Sequence, residues 1–187
     1  MKTHPARMMI AAGALLGVVA LPMIANAQTS LLPIKVTEKQ SRAAELDRRA
    51  AAYEDSDWSK LSTAGKLREQ AADLRDESDL LKTASLYWAA RDHYYSENTS
   101  KARDLMVQTA QHAMETGDVI AAASAFTDAA YISADLRDVE STKLYATKAR
   151  LLASSPMLSA AQRSALLEQL AFGGLTEERV ATLGTGR

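Results

Sequence analysis

The sequence predicts an all-α protein, and three observations carry this prediction. Alanine, the best helix former, supplies 29 of residues 28–187, and Leu, Glu, Arg, Lys and Gln fill much of the remainder. Only Pro33 and Pro156 interrupt this stretch, so the long segment between them contains no obligate helix breaker. Period-two alternation of β-branched residues is missing, which leaves strands with little support.

The N-terminus has the three parts of a secretory signal peptide. The segment 1–7 carries two positive charges and no acid, an apolar run follows over residues 8–24, and residues 25–27 read Ala-Asn-Ala. An uncleaved membrane anchor is the alternative, because the apolar run nearly reaches spanning length. Pro22 and the small-residue end favour cleavage after Ala27. We therefore expect residues 1–27 to be a signal peptide and the chain to be periplasmic or secreted.

Length and charge limit the number of domains and the classes of partner expected for the remaining chain. Removal of residues 1–27 leaves residues 28–187, enough for one domain with a continuous core. The whole chain has 22 basic and 23 acidic side chains, and loss of Lys2 and Arg7 leaves 20 against 23. This balance lacks the basic excess of a nucleic-acid-binding surface. The absence of cysteine excludes disulfides and a lipid-anchoring cysteine, so core packing alone must hold the fold.

The first helices are predicted from caps and turns. An extended lead over residues 28–36 precedes a T-x-x-Q capping box at Thr37, which opens a first helix to about Glu54. Ser56 or Asp57 caps a second helix to about residue 77. A third helix follows Ser78-Asp79 and ends near Tyr95, and a fourth runs from residues 98–100 to Gly117.

The remaining elements follow the same signals. Asp118 caps a fifth helix that ends near residues 137–138, and a sixth covers about 140–154. Pro156 interrupts the chain, Ser159 caps a seventh helix to Phe172, and Gly173-Gly174 forms a hinge. A last short helix begins at residues 176–178 and ends at Gly184. Residues 37–172 thus form a domain of helical hairpins, and residues 173–187 a short C-terminal helix and tail. Short links make neighbours antiparallel, with helices two and three, four and five, and six and seven as pairs.

One segment matches a known pattern. Gly117-Asp118 closes a helix, and Ala122, Phe126 and Ala129 follow, while Ala110 lies upstream where two helices must approach closely. This arrangement resembles the second half of a tetratricopeptide repeat. The preceding hairpin shows the same phase more loosely, in two sets of residues: Leu67, Ala71 and Leu74, then Asp79, Tyr87 and Ala90.

The resemblance implies a short right-handed solenoid, or a bundle, of stacked helix hairpins. The interval from Ala71 to Ala110 is longer than the repeat of the family, and Leu67 and Met106 replace its bulky early aromatic residue. Buried alanines would let the helices approach closely, and Tyr87 and Phe126 would fill the space between hairpins. The family also implies a concave binding face on the first helix of each pair, here with Arg68, Arg75, Gln108 and Gln111.

Patterns that would indicate catalysis are missing. His93 and His112 are the only histidines after residue 27, and about ten helical residues, roughly 15 Å, separate their expected positions, too far for one ion. Asp73, Asp76, Glu77 and Asp79 crowd the end of helix two beside Arg75, which is typical of a solvated face. Nucleophile elbows and phosphate loops do not occur. We expect no enzyme, metal or cofactor; a helical hydrolase with a scattered site is a third alternative.

Aromatic residues concentrate in the third helix. Tyr87, Arg91 and Tyr94 share one stripe, and Trp88 and Tyr95 share the adjacent one. Core packing is the expected role of Tyr87 and Trp88. Tyr94 and Tyr95 lie near the helix end, so we expect them to form an exposed partner-binding surface with Arg91, since Tyr, Trp and Arg are enriched at binding hot spots.

These observations favour one function and one alternative. We expect an exported, non-enzymatic adaptor or scaffold that binds a protein or peptide in the cell envelope, without nucleic-acid binding and without membrane insertion after signal cleavage. The alternative is a domain that binds a small molecule or polymer on the stripe of Tyr87, Trp88, Tyr94 and Tyr95.

Overall fold

The computed structural model describes residues 37–183. The predicted signal peptide (1–27), the extended lead (28–36) and residues 184–187 of the tail lie outside this range. The described chain folds into eight α-helices and one short 3-10 helix, Trp58–Lys60, with no strand among these residues, which confirms the all-α prediction. The α-helices are α1 Glu38–Ser56, α2 Leu61–Asp73, α3 Leu80–Tyr95, α4 Thr99–Glu115, α5 Val119–Asp135, α6 Val139–Ala153, α7 Ala160–Phe172 and α8 Glu177–Thr182. None of them is both long enough and apolar enough to cross a lipid bilayer.

Side-chain caps set most helix starts, as the sequence predicts. At α1 the Gln40 amide donates to the Thr37 hydroxyl (3.2 Å), and the Thr37 amide donates to the Gln40 side chain (2.9 Å). Ser159 and Gln162 form the same reciprocal capping box at α7. Asp118 accepts from the Ala121 amide (2.9 Å) at the start of α5. These bonds satisfy amides that have no partner within the helix.

Two boundaries differ from the prediction. Asp57 caps the 3-10 helix rather than α2, because its carboxylate accepts from the Ser59 amide (2.9 Å), and this turn leads directly into α2 at Leu61. The second helix ends at Asp73 instead of about residue 77. Its end tightens when the Arg75 amide donates to the Ala72 carbonyl (3.1 Å), and the Arg75 side chain is drawn into the protein.

A single turn geometry recurs at equal intervals along the chain. Glu97, Gly117 and Arg137 have φ of 68°, 79° and 59°, in the left-handed region. The residue after each donates its amide to a carbonyl five positions earlier, as in a Schellman helix end: Asn98 to His93, Asp118 to Ala113 and Asp138 to Ser133, at 2.8–2.9 Å. Glu97 and Arg137 adopt this conformation without glycine, at some backbone cost. This interval was not identified from the sequence, because the hairpins were aligned by their small residues, Ala71 and Ala110, and not by their turns.

The same interval relates the buried faces of α4, α5 and α6. Each of these helices buries residues at four equivalent positions, so one pattern of inward side chains recurs three times. The equivalent sets are Ala102, Ala122 and Thr142; Met106, Phe126 and Ala146; Thr109, Ala129 and Ala149; and Ala113, Ser133 and Ala153. The spacing within each helix is four, three and four positions, which is one face of an α-helix.

The helices lie in two layers. Every helix from α1 to α6 packs along its neighbour in sequence. Polar side chains also connect alternate helices, which places α1, α3, α5 and α7 in one layer and α2, α4 and α6 in the other. These connections are Ser85 to Asp47, Tyr94 to Asp135 and Tyr131 to the Gln169 carbonyl in the first layer, and Lys101 to Glu69 and Arg103 to Asp138 in the second.

The predicted pairing of helices six and seven is present, but it is not the main contact of α6. Helix α6 packs far more extensively against α5 than against α7. The connection between α6 and α7 contains Pro156 and turns α7 toward α5, where the Tyr131 hydroxyl accepts from the Gly173 amide (3.0 Å). A Cβ atom at Gly173 would overlap the Tyr131 ring, so this glycine allows a close approach rather than acting only as a hinge.

The alanines expected at tight helix contacts are all fully buried. Ala71, Ala90, Ala110, Ala122 and Ala129 each have 0% exposure, and this part of the prediction is confirmed. The two aromatic fillers, Tyr87 and Phe126, are also buried. Alanine at these positions leaves space only for a neighbouring helix, so larger side chains would have to push helices apart.

Substitution of Ala129 by Leu tests this packing. We expect Ala129→Leu to lower the free energy of unfolding in urea by about 1–3 kcal/mol, because the added methylenes meet a filled interior. Ala134→Leu is the matched control, since Ala134 is exposed on the same helix, and it should change stability by less than about 0.5 kcal/mol. Equal effects of the two substitutions would contradict the packing argument.

Candidate binding surface on the third helix

Four side chains near the C-terminal end of α3 form one connected surface, here called the aromatic patch: Trp58, Trp88, Arg91 and Tyr95. The Arg91 guanidinium lies over the Trp88 ring (4.7 Å to the centroid) and the Tyr95 ring (5.6 Å). Trp58, from the 3-10 helix, meets Tyr95 edge to face with 5.9 Å between centroids, and it is 72% exposed. The patch therefore combines an open indole with a cation held against two rings.

The structure separates the residues predicted for this surface. Arg91 and Tyr95 are partly exposed and belong to the patch, and Trp88 is partly buried between them and the core. Tyr87 is buried, as expected. The expectation that Tyr94 is exposed is wrong: it is 8% exposed, and its hydroxyl donates to Asp135 of α5.

Sequence reasoning missed Trp58. This residue lies outside the α3 periodicity, in a turn between two helices, and reaches Tyr95 only after the chain folds back. Its one signal in the sequence was a large aromatic residue in an otherwise acidic and polar loop.

Arg68 supports the patch from below. Its guanidinium lies 5.5 Å from the centroid of the Trp88 ring, pairs with Glu54, and approaches Asp92 at 3.3 Å and Asp47 at 3.9 Å. The residue is 7% exposed, so the expectation that it lines an open binding face is wrong. Burial and, to a smaller extent, the Glu54 carboxylate raise the pKa of Asp92 to about 7 against the opposing effect of the nearby Arg68.

Arg75 is also a structural residue. It is 6% exposed, pairs with Asp47 (2.7 Å) and Asp79 (3.6 Å), and donates to the Ser85 hydroxyl, so that one guanidinium joins α1, the end of α2 and α3. The expectation that Arg75 lies on an open face is therefore wrong too. Gln108 and Gln111 are exposed on α4, and their predicted binding role stays a prediction.

The two histidines lie inside the helix contacts with separate partners. His93 is 2% exposed and donates from Nε2 to Glu69 (2.7 Å). His112 donates from Nε2 to the Glu77 carbonyl (2.8 Å), which leaves Nδ1 to accept from the Thr83 hydroxyl (2.7 Å). Within residues 37–183, no group of three or more His, Asp or Glu side chains is arranged to hold a metal ion.

A second polar pair lies beneath the surface between α3 and α5. Asp128 is 2% exposed, and its Oδ2 atom and the hydroxyl of Tyr87 make no hydrogen bond of normal geometry. Burial raises the pKa of Asp128 to about 7, while the Tyr87 hydroxyl acts in the opposite direction. Burial and the Asp128 carboxylate together raise the pKa of Tyr87. Asp128 is thus a carboxylate enclosed without a cation, which is unfavourable when it is charged.

The aromatic patch offers groups for noncovalent binding. Trp58 offers apolar area, and Arg91 offers a planar set of N–H donors whose orientation the neighbouring rings restrict. The charges below, on Arg68, Glu54 and Asp92, are paired with one another. The patch is therefore suited to hold a ligand against a rigid base.

The ionisation of Asp128 makes stability depend on pH. Its pKa is about 7 in the folded chain and 3.8 ordinarily, so between these values the folded state binds the extra proton. Stability from this group is therefore greatest below its ordinary pKa and falls as the pH rises through its folded pKa. We expect the stability of Asp128→Asn relative to the parent to rise between about pH 4 and pH 8 by an amount on the order of 2–4 kcal/mol.

Urea unfolding at several pH values measures this difference. Asp104→Asn, at a position whose side chain is 57% exposed, serves as the control and should leave the pH profile of the parent unchanged. A parallel pH profile for Asp128→Asn would show that Asp128 is not the enclosed titrating group.

Removal of the Arg68 side chain should destabilise the protein beneath the aromatic patch. Arg68→Met leaves Glu54 and Asp92 without their cation, so we expect a loss of about 3–5 kcal/mol in the free energy of unfolding. Arg48→Met is the control: its side chain is 77% exposed and pairs with Glu45 at 2.6 Å, and an exposed pair contributes roughly 0–1 kcal/mol. Similar losses in both variants, measured by urea unfolding, would contradict the supporting role of Arg68.

Comparison of the chain with protein-family models, curated proteins and solved structures finds no match. The resemblance to tetratricopeptide repeats therefore rests on the residues that carry it, namely the Gly117-Asp118 turn and the alanine and aromatic positions after it. To these the structure adds stacked helix hairpins and a turn that recurs at positions 97, 117 and 137.

Proposed function

We propose that this chain is an exported, non-enzymatic adaptor or scaffold module that binds a protein or peptide in the cell envelope. The aromatic patch is the observation that carries the proposal. It joins the three residue types most enriched at binding hot spots, and Trp58 alone exposes 72% of its surface. The Trp58 indole meets only the Tyr95 ring edge to face and leaves most of its surface in water, where a bound partner would bury it.

The helical-repeat part of the proposal draws on the recurring turn. Two successive intervals between these turns, from position 97 to position 137, make one hairpin, and this hairpin is longer than the repeat unit of the tetratricopeptide family. We propose a right-handed stack of tetratricopeptide-like hairpins with longer helices. In such arrays each hairpin buries its apolar face only against the next, and the outer faces remain available to partners.

Export is proposed from the N-terminal pattern of a charged start, an apolar run and Ala25-Asn26-Ala27. It would place the chain in the periplasm or outside the cell. The mass of the protein isolated from the cell envelope or medium tests this: a chain that begins at Gln28 supports export and cleavage, and one that begins at Met1 contradicts cleavage.

A small-molecule or polymer ligand is the alternative function. The exposed indole of Trp58 beside Tyr95 favours it, because flat rings also stack on the apolar faces of ligands other than proteins. The two functions predict different products when the patch is photocrosslinked in the cell: protein adducts for the first, and small-molecule or polymer adducts for the second.

Photocrosslinking from position 58 tests the proposal directly. A photoreactive phenylalanine in place of Trp58 should form adducts with one or a few envelope proteins in living cells, identified by mass spectrometry. The same label at Gln108 reports on the exposed face of α4, and a label at Ala44, exposed on α1, measures background.

Each result has a defined meaning. Protein adducts from position 58 above the background at position 44 support the proposal. Adducts from position 108 alone would move the binding face to α4. Polymer or small-molecule adducts without protein would favour the alternative, and background labelling at both test positions would contradict protein binding by either face.

A further inference from the structure

The Arg91 side chain differs from the other arginines near the patch in having no acidic partner. Arg68 and Arg75 are each paired with carboxylates of the domain. Within the described part of the chain, the Arg91 guanidinium lies over the rings of Trp88 and Tyr95 and makes no ion pair and no hydrogen bond, and its charge acts on the buried Asp92, whose pKa it lowers. Its N–H donors are therefore available to an external acceptor.

The rings hold this cation in place. Trp88 precedes Arg91 by three positions and Tyr95 follows it by four, so the Arg91 side chain turns toward these two rings rather than staying in the expected stripe with Tyr87 and Tyr94. Restriction of the long side chain by two rings reduces the conformational entropy that a flexible surface arginine would lose on binding. A planar guanidinium with free edges matches the two oxygens of a carboxylate.

The cation within the patch favours a carboxylate on the ligand. Beneath Trp88, the positive charge of Arg68 faces Glu54 and Asp92 and is balanced within the protein. Lys60 lies over the Tyr53 ring and reaches Asp57 at 3.9 Å. Arg91 is the one charged member of the patch. It makes no ion pair within the described residues, and the buried Asp92 feels its charge only across a longer distance.

We infer that the aromatic patch binds an acidic segment of a partner protein, in which one Asp or Glu carboxylate pairs with Arg91 and a neighbouring apolar side chain packs on Trp58. This inference rests on the proposed protein-binding function and adds the chemistry of the partner. Carboxylate recognition by Arg91 would supply specificity, and burial of the Trp58 indole would supply most of the contact area.

Selection of displayed random peptides against the purified native protein tests the inference. Binding of the selected peptides is then measured by intrinsic fluorescence. Trp58 and Trp88 are the only tryptophans of the chain, so peptides without tryptophan are read directly at the patch. Each selected acidic peptide is compared with the same peptide carrying Asn or Gln in place of Asp or Glu.

We expect the selected peptides to share an acidic position, and the amide forms to bind at least tenfold more weakly. In Arg91→Met the difference between acid and amide forms should disappear, while Lys148→Met should retain it. Lys148 is the matched control because it too lies over an aromatic ring, that of Phe126 at 5.1 Å, away from the patch. Circular dichroism melting curves confirm that both variants are folded.

The failures are distinguishable. Selected peptides without an acidic preference, or an unchanged acid-to-amide ratio in Arg91→Met, would overturn the inference and leave protein binding intact. Binding of free N-acetylaspartate as tight as that of the peptides would show a small-carboxylate site and also overturn it. Absence of any selected peptide, together with background crosslinking from position 58, would overturn the proposed function as well.

Discussion

Two helices that meet at alanine can approach closely, and the helices from α1 to α6 all bury alanines where they pack against one another. Ala71, Ala90, Ala110, Ala122 and Ala129 are all without solvent exposure. Close approach brings many atoms into contact at little cost in side-chain entropy, because alanine has no rotamers to lose. The stacking of the helices, and every site built on them, depends on these contacts.

The same close packing encloses polar groups that connect the layers. Arg68 and Arg75 carry their charges into the contacts of α1, α2 and α3, where Asp47, Glu54 and Asp92 balance them. Such networks add little net stability compared with apolar packing, but loss of one member leaves a buried charge alone. They therefore restrict how the first three helices can be arranged, and they give the aromatic patch a rigid base.

The patch itself is assembled from two parts of the chain. Trp88, Arg91 and Tyr95 are neighbours through helical periodicity, so local structure alone brings them together. Trp58 joins them because the 3-10 helix returns the chain to the end of α3. An exposed indole at this point enlarges a short aromatic stripe into a surface with a cation near its centre.

The sequence by itself determined the helical class, most helix starts and the identity of the buried alanines, because caps, propensities and helical periodicity are local. It also located the α3 stripe. Only the tertiary structure decided which side chains of that stripe face water: Tyr94 turns inward to Asp135, and Arg91 stays outward without a carboxylate. The burial of Arg68, the position of Trp58 and the isolation of Asp128 were likewise decided by contacts between residues distant in sequence, which no local pattern encodes.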